Sequence, residues 1–112
     1  IFYAKRKGIV AKGYPLLDGT KSFVVLKGSL LNVEVTPSFS LKKQREKVLE
    51  SRVLKSKDAY ELCEDYVFTS PSSASGVCNG YSSNGFEDWK LEDGTTLKSY
   101  LDQINQQLPS NR

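Results

Sequence analysis

The chain has no histidine and no methionine, and among its 112 residues only two cysteines and one tryptophan. Each scarcity closes off a class of function. Without histidine, the side chain that ordinarily serves as general base near neutral pH is missing. Cys63 and Cys78 stand fifteen positions apart, match no zinc pattern, and have no histidine to complete one. A disulfide between them is possible in principle. No signal-peptide pattern opens the sequence, however, so buried thiols and a cytoplasmic location are the expectation. Long apolar runs are also missing. Phe23-Val24-Val25-Leu26 is strand-sized, far short of the roughly 20 residues that cross a bilayer, and no membrane partner is expected. Gly28-Ser29 lacks the glycine spacing and the Gly-Lys-Ser/Thr end of a phosphate-binding loop. The lack of methionine, with an opening at Ile1-Phe2-Tyr3 that reads as a strand, predicts a domain excised from a longer protein. Residues 1–108 would form that domain and 109–112 a frayed end.

What is present describes one globular unit. The apolar fraction of 38% and charged fraction of 26% suit a folded domain with a single core, and aromatic residues at 11% supply bulk for it. The net charge of +3 hides an asymmetry. Residues 1–55 hold twelve Lys or Arg against four Asp or Glu, a balance of +8, while residues 56–112 hold four against nine, a balance of −5. A basic half attracts polyanions by steering and counterion release. The alternative is that the two halves neutralise each other on folding.

The first third reads as β structure. Short apolar runs at Phe2-Tyr3-Ala4, Ile9-Val10-Ala11 and Ser22 to Lys27 are separated by Gly8, Gly13 and the turn signal Asp18-Gly19. Phe23 to Leu26 is apolar throughout, as a strand at a sheet centre would be. Leu31 to Val35 reads as a further short strand. From Ser40 to Ser51, Leu41, Val48 and Leu49 recur at helical spacing among Lys42, Lys43, Arg45, Glu46, Lys47 and Glu50, which predicts an amphipathic helix with a basic outer face. Val53-Leu54 and Ala59 to Cys63 read as strands. Ser70 and Pro71 have the residue types of an N-cap and a first helical position. Ala74, Val77 and Cys78 would then face the core, with Asn79-Gly80 as the stop. Asn84-Gly85 predicts a tight turn. Leu97, Tyr100, Leu101, Ile104 and Leu108 predict a C-terminal helix. The sum is an α+β fold, a small and mostly antiparallel sheet packed on two or three helices.

The order of several short motifs adds to this reading. Gly28-Ser29, Arg45, Leu49, Phe68-x-Ser70-Pro71-Ser72-x-Ala74, Gly80, Asn84-Gly85-x-x-x-Trp89-Lys90 and Gly94-x-x-Leu97 together resemble the prokaryotic domain-of-unknown-function family 4357 over roughly residues 13–97. The chain is also similar to the restriction-adenine-methylase-associated domain, which shares the Ser-Pro-Ser and Asn-Gly-Trp-type segments. Phe86 stands where the family usually has Trp, and Ser75 where a second Ala is common. The resemblance implies an accessory module of DNA-processing proteins, often placed C-terminal to a GIY-YIG-type nuclease domain. It implies no reaction and no cofactor.

Two classes of function follow as expectations. The first is a non-catalytic nucleic-acid-binding domain, DNA favoured, linked to a nuclease or modification enzyme. Lys42, Lys43, Arg45 and Lys47 would supply phosphate affinity, and Ser72, Asn84 and Lys90 a more specific site. Each has a plainer reading: a solvated helix face for the lysines, capping around Ser70-Pro71-Ser72, a turn at Asn84, and a buried brace for Arg45, which lies nearest the apolar stripe. Trp89 has a stacking reading and a core reading. The second class is a protein-interaction module that docks on the linked catalytic domain through exposed apolar residues of the C-terminal helix and first strand. A metal-dependent enzyme built on Asp58, Glu61, Glu64 and Asp65, or on Glu87, Asp88, Glu92 and Asp93, would need spacing that neither cluster shows.

Overall fold

A computed structural model describes residues 1–6, 8–17, 19–33, 42–51, 53–55, 59–80 and 84–107. The expected turn residue Asp18, the segment from Thr36 to Leu41, Asp58 and the end at 109–112 lie outside these residues.

The chain builds two antiparallel sheets where the sequence predicted one. The larger joins β1 (Phe2–Arg6), β2 (Ile9–Pro15), β3 (Phe23–Val25) and β7 (Tyr66–Phe68) in the order β1-β2-β3-β7. The smaller joins β4 (Leu30–Asn32), β5 (Val53–Lys55) and β6 (Ala59–Leu62) in the order β4-β6-β5. The division falls at Gly28-Ser29. Gly28 takes φ +88°, a conformation that costs glycine nothing and breaks the line of the strand. Ser29 is fully buried and ties both sheets. Its backbone carbonyl accepts from Leu62 N at 2.9 Å. Its Oγ accepts from Lys12 N at 2.8 Å and donates to Lys12 O at 3.1 Å.

β3 has all three side chains buried, as an uninterrupted apolar run at a sheet centre requires. Gly13, expected to separate strands, lies inside β2 opposite Val25. A Cβ there would stand 2.5 Å from the Phe23 ring and 2.3 Å from Val24 O, so the glycine makes room for Phe23.

Helix α2 (Pro71–Asn79) sits at the centre of the molecule, in contact with both sheets and with two of the other helices. Every residue of it except Ser72 is buried. Its Ala, Ser and Gly side chains are small enough for close approach on all sides. The N-cap is Ser70, whose Oγ accepts from Ser73 N at 3.0 Å, and Pro71 occupies the first turn, where no amide proton is needed. Gly80 ends the helix at φ +82° with its N–H on Gly76 O at 2.8 Å.

Asn84-Gly85 is not a free turn. Asn84 caps α3 (Gly85–Asp88), its Oδ1 accepting from Phe86 N at 3.0 Å. Helix α1 (Lys42–Ser51) and helix α4 (Leu97–Gln107) complete the set. Thr96 stands before α4, its Oγ1 accepting from Ser99 N at 3.2 Å. The core gathers Phe2, Phe23, Val25, Leu31, Val48, Leu62, Phe68, Val77, Trp89 and Leu97. No helix among the described residues is long and apolar enough to cross a membrane.

Candidate functional site

Helix α1 separates its residues by face. Arg45 and Val48 are buried, three positions apart on the inner face, while Lys42, Lys43, Glu46, Lys47 and Glu50 are exposed. The expected basic outer face therefore exists, but without Arg45. That residue is 3% exposed and donates from Nη1 to Val77 O and from Nη2 to Asn32 O. Its Cζ lies 5.9 Å from the centroid of the Tyr60 ring, within cation–π range. Burial lowers its pKa, against the opposing influence of Cys78 and Tyr60. Arg45 thus fastens α1 to α2 and β4 and is withdrawn from any phosphate-contacting surface. A planar fork suits two carbonyls presented side by side.

The charges on α1 oppose its dipole. Lys42 and Lys43 open the helix, no acidic residue lies in its first turn, and no basic residue lies in its last. Cations near the positive end of a helix are unfavourable by about 0.3–1 kcal/mol each. The arrangement does nothing for the helix, yet it adds two ammonium groups to a surface already favourable to anions.

Ser72 and Asn84 are brought together, as neighbours within the fold. Ser72 Oγ accepts from Gly85 N at 2.9 Å. The peptide of Gly85 lies so close over the start of α2 that a Cβ would stand 2.2 Å from Pro71 C and 2.4 Å from Ser72 N. Pro71 O is taken by Trp89 Nε1 at 2.9 Å. Ser70 caps α2, and Ser72 and Asn84 each accept a backbone N–H within the fold. Trp89 itself has no exposed surface and packs on Phe23, ring centroids 4.4 Å apart, so no base can stack on it.

Lys90 stands beyond the other end of α3. Its backbone pairs with Tyr3, with Tyr3 N to Lys90 O at 2.7 Å and Lys90 N to Tyr3 O at 3.0 Å, and this extends the sheet past β1. Its exposed side chain lines a cleft of about 590 Å³ together with Tyr3, Lys5, Asn79, Asp88 and Glu92. The rim at residues 91–95 is fixed by Gly94 N on Leu91 O at 2.9 Å and by Asp93 Oδ1 accepting from Thr95 N at 2.9 Å, a bond that lowers the Asp93 pKa. The seven residues singled out from the sequence therefore fall into four places: Lys42, Lys43 and Lys47 on the α1 surface, Arg45 buried between α1, α2 and β4, Ser72 and Asn84 at the joint of α2 with α3, and Lys90 at this cleft.

Sequence reasoning missed Lys5, Asn79 and Asp88 as cleft residues. Lys5 and Lys90 are 85 positions apart, and only the Tyr3–Lys90 pairing brings them to one edge. Among the described residues, no three His, Cys, Asp or Glu side chains are grouped to hold a metal ion. Cys63 and Cys78 are both free thiols. Burial pushes the Cys78 thiol up to about 12, with Arg45 pulling it the other way.

No curated protein matches the chain, and no solved structure does. A family model does match, over residues 2–101, a span wider than the motif order alone suggested. The chain belongs to the family described as Domain of unknown function (DUF4357).

Proposed function

We propose that this domain is a non-catalytic nucleic-acid-binding accessory module, DNA favoured, of a restriction- or nuclease-associated protein. The observation that carries the reading is the exposed basic face of α1. Lys42, Lys43 and Lys47 project from a helix whose opposite face is pinned by buried Arg45 and Val48. Such a face presents its ammonium groups on a rigid element, with two of them at the end where the dipole also favours an anion. The non-catalytic part rests on the sequence, which offers no histidine base and no visibly activated nucleophile.

The test is a salt titration of duplex binding. Affinity is expected to fall with a log–log slope of roughly 0.9 per phosphate neutralised. Changing Lys42, Lys43 and Lys47 to Gln is expected to flatten that slope by about two to three units. Binding that ignores salt, or a slope unchanged in the triple variant, contradicts the proposal.

One observation favours a second reading, a docking module. An apolar groove of about 460 Å³ runs between the β2–β3 connection and α4, lined by Leu16, Leu17, Phe86, Leu101 and Ile104. Leu17 is 62% exposed, and exposed apolar surface of this kind marks contact sites. In this reading the linked catalytic domain of the parent protein covers the groove. Its signature is a Leu17→Asp variant that loses association with that domain while DNA binding is untouched.

A further inference from the structure

The outer face of the larger sheet carries a pattern that the fold does not use. Phe2, Ala4, Ala11, Phe23, Val25 and Phe68 turn into the core with helix α2. By the two-residue period of a strand, the residues between them share the opposite face. Strand register sorts that face into rows. Tyr14, Val24 and Val67 stand side by side on β2, β3 and β7. In the next row Tyr3 pairs with Lys12 on one side and with Lys90 on the other. Beyond it Lys5 lies opposite Val10. Neighbouring strands are about 4.8 Å apart and successive rows about 6.8 Å, so Lys12 and Tyr14 are neighbours along β2. Lys5 and Lys12 are exposed, Tyr14 is 37% exposed and Val67 56%. The outer face of an antiparallel sheet ordinarily turns polar side chains to water. Here Ile1, also exposed, precedes Phe2 at the Tyr14 end of the apolar row. Three of the five large apolar residues that stay exposed among the described residues therefore gather in one place. Incidental exposure scatters them singly.

The rows differ in chemistry and call for a partner that carries both kinds of group. No Asp or Glu occurs in the four strands. Carboxylates flank the face instead. Asp88 and Glu92 lie beside Lys90, and Asp65 precedes β7 with its Oδ1 accepting from Lys27 N at 2.8 Å. The middle of the sheet is therefore cationic at Lys5 and Lys12, whose backbones are about 8 Å apart by these spacings, within one screening length. A second copy packed on this face would set lysine against lysine. A duplex would meet the lysines and leave the apolar row unused, because its bases are stacked and paired. An unpaired strand offers phosphates and flat base faces together. We propose that this face binds a single nucleic-acid strand, its phosphates over Lys5 and Lys12 and a base against Tyr14 and Val67. The inference rests on the nucleic-acid reading for the class of partner and uses none of the α1 residues. The α1 lysines hold a phosphate backbone of any kind, whereas the sheet separates unpaired from paired strands.

The experiment is fluorescence anisotropy with an end-labelled oligothymidylate of about twelve nucleotides, within the span of a single-strand platform. Its duplex with oligodeoxyadenylate and an abasic strand of equal length serve as the other probes. The thymidylate is expected to bind more tightly than the abasic strand, by roughly tenfold for one stacked base. Tyr14→Thr, which keeps a residue suited to a strand, is expected to remove that advantage and leave duplex affinity unchanged. Lys12→Gln is expected to lower the salt slope for the thymidylate by about 0.7. The α1 triple variant is expected to keep the preference for thymidylate over the abasic strand. Val67→Thr, at a more exposed position, gives the same reading if Tyr14→Thr fails to fold. Three results overturn the inference. The first is thymidylate bound no better than the abasic strand. The second is a preference that survives both Tyr14→Thr and Val67→Thr in folded protein. The third is displacement of thymidylate by phosphatidylserine vesicles whose own binding is lost in Tyr14→Thr, which assigns the face to an anionic lipid surface. If the preference is missing while duplex binding still depends on the α1 lysines, this inference falls and the broader proposal stands. If none of the nucleic acids binds, both fall.

Discussion

The two ends of α2 treat polar residues in opposite ways. At the start of the helix every hydroxyl with a described contact is consumed by the fold. Ser70 caps Ser73 N, Ser73 Oγ donates to Ser70 O at 3.0 Å, and Ser72 receives Gly85 N. At the far end, Arg45 claims Val77 O from the inside, while Asn79 reaches the wall of the cleft that Lys5, Asp88, Lys90 and Glu92 also line. One helix therefore has a sealed end and an open end. Sequence motifs drew attention to the sealed end, because capping residues and phosphate-binding residues are the same types. Only packing distinguishes them.

The contrast can be broken most severely at Arg45. Arg45→Ala leaves two buried carbonyls without a donor, at about 1–3 kcal/mol each. A loss of about 2–5 kcal/mol is expected in chemical denaturation, and Arg45→Lys is expected to recover only part of it, because an ammonium cannot span both carbonyls as the fork does. A loss below 1 kcal/mol would remove Arg45 from its bracing role. At the sealed end, Gly85→Ala drives a methyl into the Pro71–Ser72 backbone. A cost of about 3 kcal/mol is expected, since overpacking against backbone has no rotamer to relieve it. If this variant were neutral, the joint of α2 with α3 would be open and the phosphate reading of Ser72 would return.

Cys78 sharpens the picture through pH. Its thiol is held up to about 12 by burial, above the usual value of 9.0. The unfolded chain releases that proton at lower pH than the folded one, so the contribution is intact below about 9 and lost as pH rises towards 12. The slope due to this group approaches about 1.4 kcal/mol per pH unit within that window. Comparing wild type with Cys78→Ala isolates it from the lysines and tyrosines that titrate nearby. Parallel stability curves for the two between pH 9 and 12 would show that Cys78 is not shielded. A smaller loss is expected at the cap, where Ser70→Ala should cost about 0.5–2 kcal/mol.

How much of this was legible in the sequence depends on the range of the interaction. Local devices read well. The Ser70-Pro71 start and Gly80 stop of α2, the apolar strand β3 and the spacing of α4 are each fixed within a few residues, by capping, steric freedom and periodicity. Arg45 was legible as a brace from its place next to the apolar stripe, although which carbonyls it met was not. Gly13 and Asn84-Gly85 misled because glycine marks a turn and also marks a close approach, and only the Phe23 ring and the Pro71 carbonyl show which applies. The division into two sheets was hidden as well, since it turns on Ser29 reaching Lys12 across 17 positions. The cleft could not be read at all. It exists because a segment near residue 90 pairs with residue 3, a contact that no local pattern encodes.

The most direct measurement compares Ser72→Ala with the Lys42, Lys43 and Lys47 to Gln variant, recording both unfolding free energy and duplex affinity at two salt concentrations. Ser72→Ala is expected to lose stability and keep its affinity. The lysine variant is expected to stay within about 0.5 kcal/mol of wild-type stability and to lose most of its salt-sensitive affinity. The opposite pattern, with affinity lost at Ser72 and kept without the α1 lysines, would contradict the assignment of the sealed end to the fold and of the exposed helix to nucleic acid.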